Sequence, residues 1–254
     1  MNSTTTFEDP PLDVSTLSEQ DKNDLLISDT ISISSETTLD VSVARFTPAK
    51  TLLINAKGIS VIRISSPHTE RVTSITNTNG DLVYTSTRAK VSSGSCTLTD
   101  ADENPLIGTQ YFFGPSKDPV LQRLDVAEDA ACEITTLSKW TSRNHKFLLP
   151  DGNMWEWQYR REKGFGAKGV KGTALVLSVE GTRVAVLVRN DETRTLGSKS
   201  CSAGNGGALL LGESVGEKNG IEEELVVATC LLMLKKEIDR RRCVQLMTLG
   251  AFVI

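Results

Sequence analysis

The sequence predicts a mainly β fold in which many antiparallel strands enclose one hydrophobic helix near the C-terminus. Three observations carry this expectation. Between residues 51 and 211, short runs rich in β-branched and aromatic residues alternate with turn signals. One later segment, 221–242, has acidic residues at its start and basic residues at its end around a long apolar stretch, the pattern of a helix with marked termini. That stretch, 225–234, is apolar around its whole circumference, so the strands must cover every side of it.

With 254 residues, 39% hydrophobic and 24% charged, the chain is long enough for a sizeable core and has the composition of a globular protein. Its net charge of −4 is unevenly spread. Residues 1–40 hold nine acids against the single base Lys22, a charge of −8 that leaves +4 for the rest. The same forty residues contain fourteen Ser or Thr and the pair Pro10-Pro11. Such a composition buries too little apolar surface to offset chain entropy, so residues 1–48 are expected to be a disordered acidic tail, with the domain over 49–254. The tail reads either as a phosphorylatable arm that folds back on a basic surface or as a solubilising extension. Residues 1–20 lack a basic and apolar leader, so the expectation is an intracellular protein, cytoplasmic or peripheral at a membrane, with no signal peptide. The five cysteines, Cys96, Cys132, Cys201, Cys230 and Cys243, are widely spaced without a Cys-x-x-Cys pair and read as reduced thiols.

Taken in order, the runs 51–56 and 59–64 flank Lys57-Gly58 and predict a first hairpin. Asn79-Gly80, between 71–77 and 82–87, suits both positive-φ corners of a type I′ turn. Further strands are expected at 95–99, 106–113, 132–140, 145–149, 154–160, 173–179, 183–188 and 208–211, with Asp151-Gly152 and Glu180-Gly181 as turns between antiparallel neighbours. In 154–160 the aromatics alternate, placing Trp155, Trp157 and Tyr159 on one face, read as sheet core, and Glu156, Gln158 and Arg160 on the other. Asn219 is the expected N-cap of the helix, Glu222, Glu223 and Glu224 sit at its positive end, and Lys235, Lys236 and residues 240–242 sit at its negative end. The ten residues of this stretch rise only about 15 Å, half the thickness of a bilayer core, which argues against a membrane span. The last apolar run, 244–254, reads as a final strand.

Lys139-Trp140, Phe147, Leu149, Asp151-Gly152 leading into Trp155-Glu156-Trp157, the paired strands around Gly181, and Glu222, Glu223 and Glu224 opening the helix together resemble the Tubby C-terminal-like fold. That superfamily includes tubby proteins, phospholipid scramblases and LURP-one-related proteins, and the local wording resembles its uncharacterised fungal-type members. The resemblance covers roughly residues 50–243. It implies an antiparallel β-barrel of about twelve strands wrapped around a central hydrophobic helix at about 221–242. The residues after Arg242 depart from the pattern, since the helix of tubby proteins ends the chain. Neither the lipid-binding basic residues of animal tubby nor the calcium-binding segment of scramblases maps onto particular positions here.

The chemistry legible in the sequence is sparse. Gly164 to Gly169 spell G-x-G-x-x-G, but the string leads into a strand, whereas a dinucleotide loop must open a helix. Asp100 and Asp102 sit in an ordinary turn composition, and His68 and His145 have no context of an activated nucleophile or a zinc site, so neither an enzyme nor any cofactor or metal is expected. The remaining candidate is a basic loop, in which Arg160, Arg161, Lys163, Lys168 and Lys171 surround Phe165. Cations beside an aromatic suit an anionic phospholipid surface, and a solvated hairpin connection is the plainer reading. The folded part is only slightly basic and lacks a nucleic-acid reader motif, so no nucleic-acid partner is expected. The functional expectation is a non-enzymatic domain that binds anionic phospholipid at a membrane surface. Its alternatives are a protein-interaction module and a small-ligand barrel or enzyme.

Overall fold

The computed structural model describes residues 17–30, 46–60, 71–90, 93–114, 117–126, 133–217 and 220–250. Along them run α1 (Glu19–Thr30), β1 (Pro48–Ile54), β2 (Ile59–Ser60), β3 (Val72–Asn77), β4 (Leu82–Thr87), β5 (Cys96–Asp100), β6 (Pro105–Gln110) and β7 (Val120–Arg123). There follow β8 (Glu133–Thr136), β9 (His145–Leu148), β10 (Met154–Lys163), β11 (Lys171–Val179), β12 (Thr182–Val188), β13 (Cys201–Ala203), β14 (Ala208–Gly212) and α2 (Glu223–Gly250). Twelve strands close into one barrel in the order β1-β14-β12-β11-β10-β9-β8-β7-β6-β5-β4-β3, and β3 pairs back to β1. All neighbours are antiparallel, and the strands from β3 to β12 follow one another around the barrel in sequence order. Closure leaves these strands without an unpaired edge.

The period of two along each strand fills the barrel. Leu52 and Ile54 of β1, Trp155 and Trp157 of β10, Leu175 and Leu177 of β11 and Leu209 and Leu211 of β14 point inward to one cluster. Residues 225–228 and 230–234 of α2 join that cluster, and they and Thr229 are all buried. The interior is therefore protein, a helix clad on all sides by strands. The indole Nε1 of Trp157 donates to Thr229 Oγ1 at 3.0 Å, and Thr229 in turn donates to the Leu225 carbonyl at 2.9 Å. The polar atoms of this deep contact are thus satisfied.

Several local expectations are corrected. β1 and β2 do not form a hairpin about Lys57-Gly58, since β1 pairs with β14 and β3 while β2 pairs with β13. Gly58 is a site of close approach, where a Cβ would lie 2.3 Å from the Ala203 carbonyl oxygen. Residues 61–64 of the expected second strand lie outside the described residues. The β3–β4 hairpin forms at Asn79-Gly80, but only Gly80 has positive φ, 91°, in a turn closed by its N–H to the Asn77 carbonyl. The type I′ geometry belongs instead to Glu180-Gly181, with φ of 50° and 81° between the paired Val179 and Thr182.

The helix differs at both ends. It begins at Glu223, while Ile221 makes a parallel bridge to Val215, and Asn219 lies outside the described residues. It runs on to Gly250, so 244–250 are helical and not a strand, and Ala251 to Ile254 lie outside the described residues. The apolar Cys243, Val244 and Met247 have helical spacing and pack on Leu17, Leu25 and Trp140.

The expectation of a structureless tail is corrected over α1. Ser18 caps it, its Oγ accepting the Asp21 N–H at 3.1 Å and donating to the Asp21 carboxylate at 2.6 Å. Leu17 and Leu25 are buried against the end of α2. Two leucines suffice to dock a short helix, which an average over forty residues conceals. Leu25→Ala is expected to lower stability by about 2 kcal/mol in urea denaturation. An unchanged midpoint would place α1 off the domain in solution.

Candidate functional site

Beyond residue 234 the helix carries charges that the sequence places at a solvated end. The structure buries them: Lys235, Lys236, Glu237, Asp239 and Arg240 are all at most 9% exposed. They remain in the fold because partners surround them. Lys235 pairs with Asp239 at 2.9 Å, and Lys236 Nζ lies 3.3 Å from His145 Nδ1. Arg189, just after β12, grips Glu237 through both terminal nitrogens at 2.7 and 2.8 Å. Glu237 also accepts the Gly204 N–H at 2.8 Å and the Tyr159 hydroxyl.

Above Glu237 opens a cavity of about 250 Å³. Arg143, Arg189, Arg194, Arg240 and Arg241 line it, with Glu237 as the single acidic residue of the lining and Tyr159, Thr173, Cys201 and Asn205 between them. The arginines come from separate parts of the fold, with Arg240 and Arg241 together on α2. Arg143 comes from the β8–β9 loop, where its guanidinium lies 4.8 Å from the centre of the Tyr159 ring. Arg240 is one turn beyond Glu237 on α2 and donates to the Ser142 carbonyl at 3.3 Å. Arg194 is fixed in the β12–β13 loop, where its Nη1 donates to the Lys199 carbonyl at 3.3 Å.

Burial pushes the Glu237 carboxyl up to about 7, opposed by the Gly204 N–H and by the charges of Arg240 and Arg143. Burial likewise lowers the Arg189 guanidinium to about 10. The lining holds five guanidiniums against one carboxylate. Planar forks of this kind recognise phosphate or carboxylate groups in bidentate fashion. A larger hollow of about 590 Å³ between α1 and residues 135–140 has Asp21, Asp24 and Asp118 against Lys139 and offers no such convergent set.

The loop chosen from sequence lies on the rim of this cavity, and its residues divide. Tyr159, Arg161 and Lys163 share one face of β10, with Thr173 and Lys171 opposite the last two on β11. Since Tyr159 and Thr173 line the cavity, Arg161, Lys163 and Lys171 continue its wall outward. Arg160 lies on the other face and donates to Gln158 at 3.0 Å. Lys168 sits in the single turn Ala167–Gly169 with φ of 54°, its N–H bonded to Glu192 at 3.2 Å. Phe165 is half-buried. It folds back onto Ala174, Val176, Val186 and Val188 outside the barrel, because those strands leave an apolar patch there.

The other candidates resolve into local structure. The glycine string forms that turn and opens no helix. Asp100 accepts the N–H groups of Asp102 and Asn104 at 2.9 and 2.8 Å, which with the Asn104 side chain holds its carboxyl below the ordinary range and marks it as a turn residue. Cys230 and Cys243 are buried, Cys96 and Cys201 half-buried, and all four are free thiols. Cys132 and His68 lie outside the described residues. Among the described residues no group of three or more His, Cys, Asp or Glu side chains is placed to hold a metal ion. Sequence reasoning missed Arg143, Arg189, Arg194, Arg240, Arg241 and Glu237. The run 240–242 was visible, but as the charged end of a helix.

His145 gives a pH signature. Burial, with Lys236 and Arg240 adding repulsion, pushes its imidazole down to about 2. A depressed histidine contributes stability above its unfolded value near 6.5 and loses it as pH falls, because only the unfolded chain takes up the proton. Glu237 acts with the opposite sign between about 7 and 4.5, so the comparison must be with a variant. His145→Gln is expected to shrink the loss between pH 6.5 and 5 by roughly 2 kcal/mol relative to the unsubstituted chain. Parallel stability curves for the two proteins would refute a neutral buried imidazole. Comparison of the chain with family models, with curated proteins and with solved structures finds no match.

Proposed function

We propose that this domain is a non-enzymatic binding module that takes a phosphate group into the arginine cavity, with an anionic phospholipid head group as the source. The observation that carries the reading is the convergence of five arginines on one open cavity with a single carboxylate among them. At roughly 30 Å³ per water, the space equals about eight waters, room for a phosphate with some of its hydration. The basic rim of Arg161, Lys163 and Lys171 supports presentation of that phosphate by a negatively charged surface. The closed barrel around an apolar helix agrees with the resemblance to Tubby C-terminal-like domains, and the domain is proposed as a member of that superfamily. No helix of the described residues is long and apolar enough to cross a membrane.

The test measures titration with inorganic phosphate and co-sedimentation with phosphatidylcholine vesicles, with and without phosphatidic acid. Arg194 and Arg241 are only half-buried, so Arg194→Gln with Arg241→Gln leaves the core intact. Each lost charge-assisted contact is worth about tenfold, so the double variant should weaken binding about a hundredfold while melting normally. Binding of phosphate without vesicles would assign a soluble phosphate ester as ligand. Binding of neither, or equal binding by the double variant, would overturn the reading.

A further inference from the structure

We propose that this end of the barrel seats on an anionic bilayer with the Leu196 side chain inserted among the lipids beside the arginine cavity. The inference rests on the reading above and deepens it by naming the surface that brings the cavity to its ligand. Leu196 is 93% exposed, and the next large apolar side chain among the described residues is Val170 at 58%, on the rim hairpin. An exposed leucine alone is ordinary. What distinguishes this one is how firmly it is held out.

Leu196 and Gly197 form the tip of a turn closed by the Ser198 N–H to the Thr195 carbonyl at 3.1 Å, with Gly197 at φ of 80°. Both feet are anchored. The Thr195 hydroxyl donates to the Ile54 carbonyl at 2.9 Å, and Ser198 is fully buried, its hydroxyl donating to the Thr195 carbonyl at 2.6 Å. The turn cannot fold its leucine inward without breaking these bonds, so the side chain gains burial only from a partner surface.

The surroundings indicate the nature of that surface. Arg194, two residues before Leu196, lines the cavity, and Lys199 three residues after it is exposed. The loop is tied to the rim hairpin by Asn190 Nδ2 to the Phe165 carbonyl and the Lys168 N–H to Glu192, both at 3.2 Å. Across residues 160–171 and 189–200, Arg161, Lys163, Lys168, Lys171, Arg194 and Lys199 stand against Glu162, Asp191 and Glu192, Arg160 being on the other face of β10 and Arg189 held by Glu237. An apolar tip within a basic field matches an anionic lipid surface, where the side chain enters the acyl boundary and the cations face the head groups.

The experiment compares the full chain with Leu196→Ala and Leu196→Asp, and with a Leu196→Cys chain bearing an environment-sensitive dye. Phosphatidylcholine vesicles containing phosphatidic acid serve as one probe and inorganic phosphate as the other. Leu196→Ala should weaken vesicle partitioning about tenfold and Leu196→Asp further, with phosphate affinity and melting unchanged. The dye should shift to the blue on adding the anionic vesicles. Vesicle binding insensitive to Leu196, with the dye still in water, would overturn the inference while the cavity reading stands. Phosphate binding with no vesicle binding would do the same, and binding of neither would remove both.

Discussion

Leu231→Asp is expected to abolish cooperative folding. Leu231 is 5% exposed, in the middle of the part of α2 that the barrel encloses. A carboxylate there has no partner among the leucines, valines and aromatics of the interior, and an uncompensated buried charge costs several kcal/mol. A domain of this size is stable by only about 5 to 15 kcal/mol, and the substitution also removes the packing of the leucine. The expected observation is loss of the thermal transition and of near-ultraviolet circular dichroism. Leu231→Met, which keeps volume and polarity, should change stability by less than about 1.5 kcal/mol and so separates charge from shape. A Leu231→Asp chain melting like the unsubstituted one would show that the helix is not enclosed.

Trp157→Ala is the second large effect, with an expected loss of about 4 kcal/mol in urea denaturation. Its side chain is fully buried between the barrel wall and α2, and the indole N–H to Thr229 is the polar tie across that contact. Trp157→Phe keeps most of the volume and loses the donor. Thr229 keeps its bond to Leu225, so the hydroxyl is not stranded and the loss should be only about 1 to 2 kcal/mol. A cycle with Thr229→Val isolates the pair, and a coupling near zero would mean that the indole contributes by packing alone.

Much of the architecture was legible because it depends on periodicity. The alternation of Trp155 and Trp157 assigned an inner face to β10, and the unbroken apolar stretch of α2 required a covering on every side. The strands β7 and β13 left a fainter trace, being only four and three residues long. The helix end was misread because charge in a sequence suggests solvent. Lys235 and Arg240 stay inside because Asp239 and the Ser142 carbonyl meet them there, and those meetings join the helix to itself and to a loop almost a hundred residues away.

The sequence by itself determined that strands would enclose a hydrophobic helix, since apolar periodicity fixes which faces must leave water. It also located the basic rim of 160–171, a contiguous run. Only the tertiary structure decided where the charge converges. Arg143, Arg189, Arg194, Arg240 and Arg241 arrive from the loop after β8, the end of β12, the loop before β13 and α2, and Glu237 joins them from one helical turn away. Nothing local marks any of them as members of a set. Pairing sets β10, β11 and β12 side by side, and the far part of α2 meets them and the loops after β8 and β12, a juxtaposition that assembles the cavity. Leu196 follows the same logic: its exposure is set by the Thr195 hydroxyl bonding to the Ile54 carbonyl, 141 residues away, and by the burial of Ser198, neither of which a short window of sequence contains.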